Sequence, residues 1–371
     1  MKAFLLVLLT TLSVQAQFTL RGKVVNAVDE QPVPFCSVFL ANTTKGTTAD
    51  ENGNFVLANL PAGRFDLVVS SVGFETLASP LNTNQPAQLL VRIMPSANHL
   101  AEVQVRASRD PEWLEQLDVF LKNFIGTSKN AQECRIVNQN VLWFDDNRTT
   151  LRLTGGAREP LVIENKALGY RIRYVLDQFL FDYGHKSVSY LGYPVYELMK
   201  PRNRRESLRW EQARKAAYLG SSMHFMRTLH AKKTAEEGFE IRRMVERTDS
   251  TKVGGQWRVK QARYLVKDAL PATFILNDDA STDSTTALAF ENLIQVTYTG
   301  EKEAPEYVRY SNPFSSNPGA PGPQTSIIHM LEPLVTIERN GNFYNPLGVV
   351  FEGYWGWEKM AELLPLTYEP Y

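Results

Sequence analysis

The chain has 371 residues with equal numbers of basic and acidic side chains, 40 of each, so no global field draws it toward nucleic acid or a membrane. Its apolar fraction of 43% and charged fraction of 22% are those of a globular protein with a large buried core, long enough for about two domains. Two cysteines, Cys36 and Cys134, are too few for a disulfide scaffold; they read as two buried thiols, with a single bridge as the alternative.

Residues 1–16 have the layout of a secretory signal peptide. Lys2 supplies the positive charge, an apolar run extends to about Leu12, and Val14-Gln15-Ala16 forms a small-x-small cleavage site. The run is too short to span a bilayer, and no cysteine comes after the site to take a lipid anchor. An exported chain starting at Gln17 is expected, periplasmic or associated with the outer membrane. No later apolar stretch is long enough for a transmembrane helix.

Residues 17–106 read as an all-β domain. Strand-like runs recur at Thr19–Val25, Ser37–Ala41, Asn54–Ala58, Phe65–Ser70, Gln88–Met94 and Glu102–Arg106, separated by turn residues. Asn52-Gly53 suits a tight hairpin turn. The pattern Gly22, Pro34, Val38, Gly46, Thr47, Asp50, Gly53, Phe55, Leu60, Pro61, Gly63, Ser71, Gly73 and Phe74 resembles a carboxypeptidase-regulatory-like domain. The resemblance covers residues 20 to about 95 and implies a transthyretin-like, seven-stranded β-sandwich of the kind that opens many Gram-negative envelope proteins. It implies no catalytic zinc. A zinc peptidase needs a His-x-x-Glu pair and a distant second histidine. His329 and Glu332 have no later histidine, and His99 and Glu102 lie on the connecting strand. No metal or cofactor is expected.

Residues 107–371 read as a larger α+β domain without βαβ alternation. Asp110 as N-cap, Pro111 in the first turn and Trp113, Leu114, Leu117, Phe120, Leu121 and Phe124 at helical spacing predict a helix that Gly126 ends. Strands are predicted at Cys134–Val137, Leu151–Thr154, Leu161–Glu164 and Tyr170–Phe181. One long helix is predicted over Ser207–Leu229. Further strands are predicted at Glu240–Val245, Gln256–Val266, Ile294–Thr299, Ser326–Ile337 and Val349–Phe351, then a short helix near Trp357–Leu364. Blocks such as Phe120–Ala131, Ile163–Tyr174, Ala217–Leu229 and Gly353–Pro365 resemble envelope proteins described as carboxypeptidase-like regulatory domain-containing. That resemblance implies a location and an architecture, and assigns no activity.

The densest candidate for chemistry is Gly220–His224. Ser221 and His224 lie three apart, on one face of a continuous helix, so Ser221 or Ser222 with His224 could serve a hydrolase acting on peptide or glycan. The segment lacks the Gly-x-Ser-x-Gly elbow that exposes a serine nucleophile, and a packing contact is the plainer reading. Cys134 sits in an alternating strand, and Asn277, Asp278, Asp279 and Asp283 lack the spacing of a calcium loop. Candidate ligand-binding residues are the basic group Arg202, Arg204, Arg205 and Arg209 and the tyrosines Tyr190, Tyr193 and Tyr196, with Trp355 and Trp357 sharing the tyrosines' ambiguity between core and binding. The leading expectation is a non-catalytic envelope protein with a protein or glycan partner and no nucleic acid. A β-barrel is disfavoured by the mixed helical pattern and by Pro365 and Pro370.

Overall fold

The computed structural model describes residues 18–85, 88–96, 110–253 and 256–370. The expected signal peptide, the strand expected at Glu102–Arg106 and the His99/Glu102 pair lie outside the described residues. Contacts divide the chain into two compact units, one holding residues up to 40 and 45–99, the other 41–44 and everything from 100 onward.

The first unit is a seven-stranded β-sandwich. Its strands are β1 (Phe18–Asn26), β2 (Ser37–Leu40), β3 (Gly46–Thr48), β4 (Asn54–Leu60), β5 (Arg64–Ser70), β6 (Leu77–Asn82) and β7 (Gln88–Ile93). One sheet has the order β4-β1-β7 and the other β3-β2-β5-β6. Alternation puts Leu20, Val24, Val38, Leu40, Phe55, Leu57, Phe65, Leu67, Val91 and Ile93 inside. Gly22 lies directly across from Phe55. A Cβ there would come within 2.5 Å of the Phe55 ring, so the missing side chain makes room for the aromatic. Asn52-Gly53 does not turn a hairpin. Its loop leads from β3 to β4, which belong to opposite sheets. Asp50 organises the loop by accepting the Asn52 and Asn54 amides at 2.8 Å each, and Gly53 takes φ +75°. Two strands escape sequence reading. β3 is three residues long, and β6 carries Pro80, tolerated because β6 is an edge.

The second unit is β-rich, with helices laid against its sheets. A six-stranded sheet contains β8 (Cys134–Ile136), β9 (Leu142–Asn147), β10 (Arg152–Ala157), β11 (Leu161–Asn165), β12 (Tyr170–Asp182) and β13 (Ser187–Leu198). Helix α1 (Pro111–Phe124) covers it. The Asp110 side chain accepts the Glu112 amide at 3.1 Å, Pro111 fits the first turn, and Gly126 at φ +107° lies just past the end. Phe120 and Phe124 are fully buried, stacked at 4.9 Å, and meet Phe179 and Tyr174 edge-on at 4.8 and 5.0 Å. Burial of each ring contributes about 2–3 kcal/mol. The outer face carries the cross-strand row Arg135, Glu164, Arg171 and Glu197, each opposite the next in register. Glu164 bonds both arginines, at 2.9 and 2.8 Å.

After a short helix α2 (Lys129–Gln132) on the approach to β8, the link to the second half consists of α3 (Arg204–Tyr218) and α4 (Ser222–His230). These two helices replace the single helix expected over Ser207–Leu229. Leu219 turns extended, Gly220 takes φ +77°, and Ser221 opens α4 as its N-cap. Beyond them lies a five-stranded antiparallel sheet in the order β15-β14-β18-β19-β21. Its strands are β14 (Phe239–Val253), β15 (Gln256–Leu270), β18 (Leu293–Lys302), β19 (Pro323–Met330) and β21 (Val349–Gly353). A small sheet of β16 (Leu276–Asn277), β17 (Thr285–Leu288) and β20 (Val335–Glu338) sits beside it. The strand expected over Ser326–Ile337 is thus two strands in two sheets, parted at Glu332-Pro333. Helix α5 (Pro305–Ser311) lies between β18 and β19, and the single turn α6 (Tyr354–Trp357) comes directly after β21, earlier than the helix expected near Trp357–Leu364. Phe225, Met226, Leu229, Ile294, Val296, Ile328 and Trp355 form this half's core.

Candidate functional site

Ser221 and His224 come together, but as a helix cap. The Ser221 hydroxyl donates to the Tyr218 carbonyl at 2.7 Å and accepts the His224 amide at 3.1 Å. The His224 imidazole is 3% exposed, and its Nδ1 accepts the Gly220 amide at 3.2 Å. The remaining nitrogen, Nε2, faces Glu237 at 3.7 Å. Burial pushes the imidazole pKa below its ordinary value, while Glu237 opposes that shift. No hydrogen bond joins the serine hydroxyl to the imidazole, so the nucleophile–base contact that hydrolysis requires is not made here. Ser222 is the first residue of α4.

The basic group splits. Arg202 is bound by Glu206 at 2.9 Å, and Arg209 by Glu133 at 3.3 Å and the Lys166 carbonyl at 3.1 Å. Arg204 and Arg205 are exposed on the first turn of α3 and form no ion pair among the described residues. The tyrosines split by strand parity. Tyr190 and Tyr196 lie on the face of β13 toward α1. Tyr196 is 2% exposed and Tyr190 sets its ring edge-on to Phe124 at 5.1 Å. Tyr196 is a core residue, and Tyr190 is half-buried and packs against that core. Tyr193 is half-buried on the opposite face, across from Val175. Both cysteines are free thiols, Cys36 buried and Cys134 half-buried. Desolvation, and then the Glu362 charge, push the Cys134 thiol up to about 12. Asn277 and Ser281 spend their polar atoms on the Asp278–Ala287 turn itself. Among the described residues no group of three His, Cys, Asp or Glu is arranged to hold a metal ion.

A different constellation, missed by sequence reading, is built around α6. The rings of Tyr307, Tyr354 and Trp357 contact one another at centroid distances of 5.1, 5.5 and 5.6 Å. Tyr354 and Trp357 are buried, and Tyr307, carried in by α5, is half-buried. The Trp357 indole donates to Thr127 Oγ1 at 3.1 Å, and the Trp355 indole to the Gly220 carbonyl at 2.6 Å. Three carboxyls surround these rings. Glu362 accepts from Ser128 Oγ and from Asn130 Nδ2, the latter at 2.7 Å. Glu301, at the end of β18, accepts weakly from Gln324 Nε2 at 3.4 Å. No side-chain hydrogen bond or ion pair reaches Glu358 among the described residues. Desolvation holds Glu358 well above the ordinary carboxyl range, and the charges of Glu362 and Glu301 add to it. Glu301 and Glu362 are raised as well, each mainly by desolvation. Lys359, whose ammonium donates to the Gly356 carbonyl, is pushed down to about 8 by burial. The result is a set of carboxyls with raised pKa values and aromatic rings beside them, with no arginine pairing with them among the described residues. The tryptophan-rich segment Tyr354–Lys359 was the one signal available in the sequence. Its partners Glu301 and Tyr307 lie some fifty residues away and carried none.

Residues 20–105 match the family described as CarboxypepD_reg-like domain. No curated protein matches the chain. Among solved structures, a minor pilin, GBS52, of Streptococcus agalactiae is 11% identical over 22% of this chain and 45% of its own, with a TM-score of 0.17. A Bacteroides uniformis protein named for carbohydrate binding is 8% identical over 42% of this chain and 57% of its own, TM-score 0.18. A Bacteroides fragilis protein of unknown function, named as membrane-associated, is 10% identical over 67% of this chain and 95% of its own, TM-score 0.18. The chain therefore spans about half the length of the first two. Likenesses with TM-scores this low carry no argument about fold or function. No described helix is long and apolar enough to cross a membrane.

Proposed function

We propose that the chain is an exported, non-catalytic envelope protein. Its carboxypeptidase-regulatory-like sandwich accompanies a β-rich unit that binds a glycan, with a protein as the other partner class. The observation that carries this reading is the carboxyl–aromatic group of Glu301, Glu358, Glu362, Tyr307, Tyr354 and Trp357. Carboxyls accept hydrogen bonds from hydroxyl-rich ligands, and aromatic rings give sugar faces a surface to stack on. Tyr307 is the ring of the three nearest the surface. The hydrolase alternative finds less support. The Ser221 hydroxyl bonds the backbone, and the His224 imidazole accepts the Gly220 amide and faces Glu237, not the serine.

Isothermal titration of the full chain with envelope glycan fragments tests the proposal. Saturable binding is expected, weakened about tenfold or more by Tyr307→Ala and by Glu358→Gln and unchanged by Ser222→Ala. Turnover of peptide or glycan, abolished by Ser221→Ala or Ser222→Ala in folded protein, would replace binding with hydrolysis. Binding that ignores both Tyr307→Ala and Glu358→Gln would remove this site from consideration.

A further inference from the structure

The two faces of the six-stranded sheet differ in character. Helix α1 covers one, where Phe144 meets Trp113 and Phe120 at 6.2 and 5.5 Å. Trp143, one residue earlier on β9, points the opposite way and is 41% exposed. The other tryptophans whose side chains are described, Trp113, Trp210, Trp355 and Trp357, are all buried. Trp210, Trp355 and Trp357 donate their indole N–H groups inside the protein. The Trp143 indole N–H has no hydrogen-bond partner among the described residues. A Cβ at Gly156, directly opposite in the ladder, would come within 2.9 to 3.0 Å of three atoms of the Trp143 ring, so the indole lies across the bare backbone of β10. Glycine inside a strand weakens it, and β10 has two in succession. Gly155 answers to the core, since a Cβ there would meet the Phe144 ring at 2.7 Å. Gly156 has no such return inside the protein. It clears room for a ring that stays in contact with solvent.

The surroundings of the ring are polar. Asp145 comes two residues later on β9, on the same face and about 7 Å along the strand. It is exposed, and its carboxylate has no ion pair among the described residues. Across the sheet from Asp145, in register, lie Thr154, Leu180 and Ser189. One row further, Arg152 is opposite Asp182 and pairs with it at 3.5 Å. These rows hold no unpaired cation among the described residues.

We propose that this face of the six-stranded sheet binds a neutral oligosaccharide, with Trp143 as the stacking platform and Asp145 accepting hydrogen bonds from the sugar hydroxyls. A sugar presents a C–H face that packs on an aromatic ring and hydroxyls that seek acceptors. An unpaired carboxylate beside the ring disfavours an anionic sugar or lipid headgroup, which would meet like charge. A protein interface has an apolar core of several side chains, whereas Trp143 is the one exposed large apolar side chain in these rows. Tyr193 stands on the same face of β13. Three strand spacings, about 14 Å, separate β13 from β9, a span that suits a chain of sugars and not a single ring. The proposal rests on the reading of the larger unit as glycan-binding but uses no residue of the carboxyl–aromatic group.

Isothermal titration of the full chain with cellohexaose, laminarihexaose, xylohexaose and chitohexaose tests it. At least one is expected to bind saturably. Trp143→Ala should weaken that binding about tenfold or more, and Asp145→Ala about fivefold. Trp143→Phe should restore part of the loss, because a ring remains. Circular dichroism on the same samples confirms that the variants are folded. Tyr307→Ala and Glu358→Gln should leave the Trp143-dependent binding unchanged, so the two sites fail separately. Binding lost in those two variants and kept in Trp143→Ala retains the carboxyl–aromatic site and overturns the platform. No binding of any of the four sugars by the folded native chain overturns it as well. So does capture of an envelope protein that Trp143→Ala abolishes while no sugar binds, which would make this face a protein interface.

Discussion

Glu358 is a carboxyl whose pKa the fold raises well above its ordinary value, and that gives Glu358→Gln a pH signature. Its pKa is raised above the ordinary 4.5 in the fold by desolvation and by Glu362 and Glu301. The folded state therefore holds a proton that the unfolded chain releases as pH rises past about 4.5. Its contribution is fully present below that value and is lost as pH climbs through the folded pKa. Within that window each pH unit costs the native protein at most about 1.4 kcal/mol relative to the glutamine variant, which has no proton to hold. The assay is urea unfolding at pH 5, 6 and 7, monitored by tryptophan fluorescence. All 6 tryptophans lie from Trp113 onward, so the signal reports the larger unit alone. The stability difference between Glu358→Gln and native should move in the variant's favour with rising pH, by about 1 kcal/mol per unit. Parallel stability profiles would refute the reasoning, since a Glu358 ionised in the fold loses no proton on unfolding.

Other perturbations have equally definite outcomes. Gly220→Ala forces a Cβ to 2.1 Å from Gln324 Oε1 and 2.7 Å from Tyr298 at φ +77°. The left-handed strain and the overpacking together should cost about 2–5 kcal/mol in the same unfolding assay. Ser221→Ala removes an N-cap and should cost about 1 kcal/mol without touching ligand binding; a loss of binding in the folded variant would restore Ser221 as a functional residue. Glu164→Gln should cost about 1 kcal/mol at pH 7, modest because both arginine partners are more than half exposed. The Glu164 pKa is lowered by Arg171 and then Arg135, so that difference should vanish as pH falls through its folded pKa; a pH-independent difference would deny the ion pairs a role. Cys134, pushed up to about 12, should react with maleimide at pH 7 far more slowly in native than in denatured protein. Equal rates would contradict its burial.

Local signals in the sequence survived into the structure where they rest on one residue's backbone chemistry. Asp110, Pro111 and Gly126 bracket α1 as expected, and the periodicity of Trp113, Leu117, Phe120 and Phe124 marks its buried face. Gly220 was visible as well, but its φ is a property of the fold, so one long helix was expected where two occur. β13 was hidden by Gly192 and Pro194, which an edge position beside β12 tolerates. The charged row Arg135, Glu164, Arg171 and Glu197 depends on the register of four strands and cannot be read along the chain. The same applies to the candidate site. Ser221 and His224 looked like a pair because spacing is visible in sequence, whereas which atoms already hold hydrogen bonds is not. Glu301, Tyr307 and Glu358 gained their significance from burial and from one another.

The segment after α6 has a consequence for how the larger unit is made. Met360 and Ala361 donate their amides to the carbonyls of Phe124 and Ile125, and Met360, Ala361 and Leu364 fill the core beneath α1. Arg227 then holds the residues beyond Leu364 in place, donating to the carbonyls of Leu366 and Tyr368 at 3.0 and 2.8 Å. Helix α1 thus completes its core with residues synthesised more than two hundred positions later. During synthesis α1 and its six-stranded sheet wait, with apolar surface uncovered, until Met360, Ala361 and Leu364 emerge. Folding of this unit should be slow and should await the synthesis of Met360. A ribosome-stalled chain ending before Met360 should remain protease-sensitive over residues 110–198.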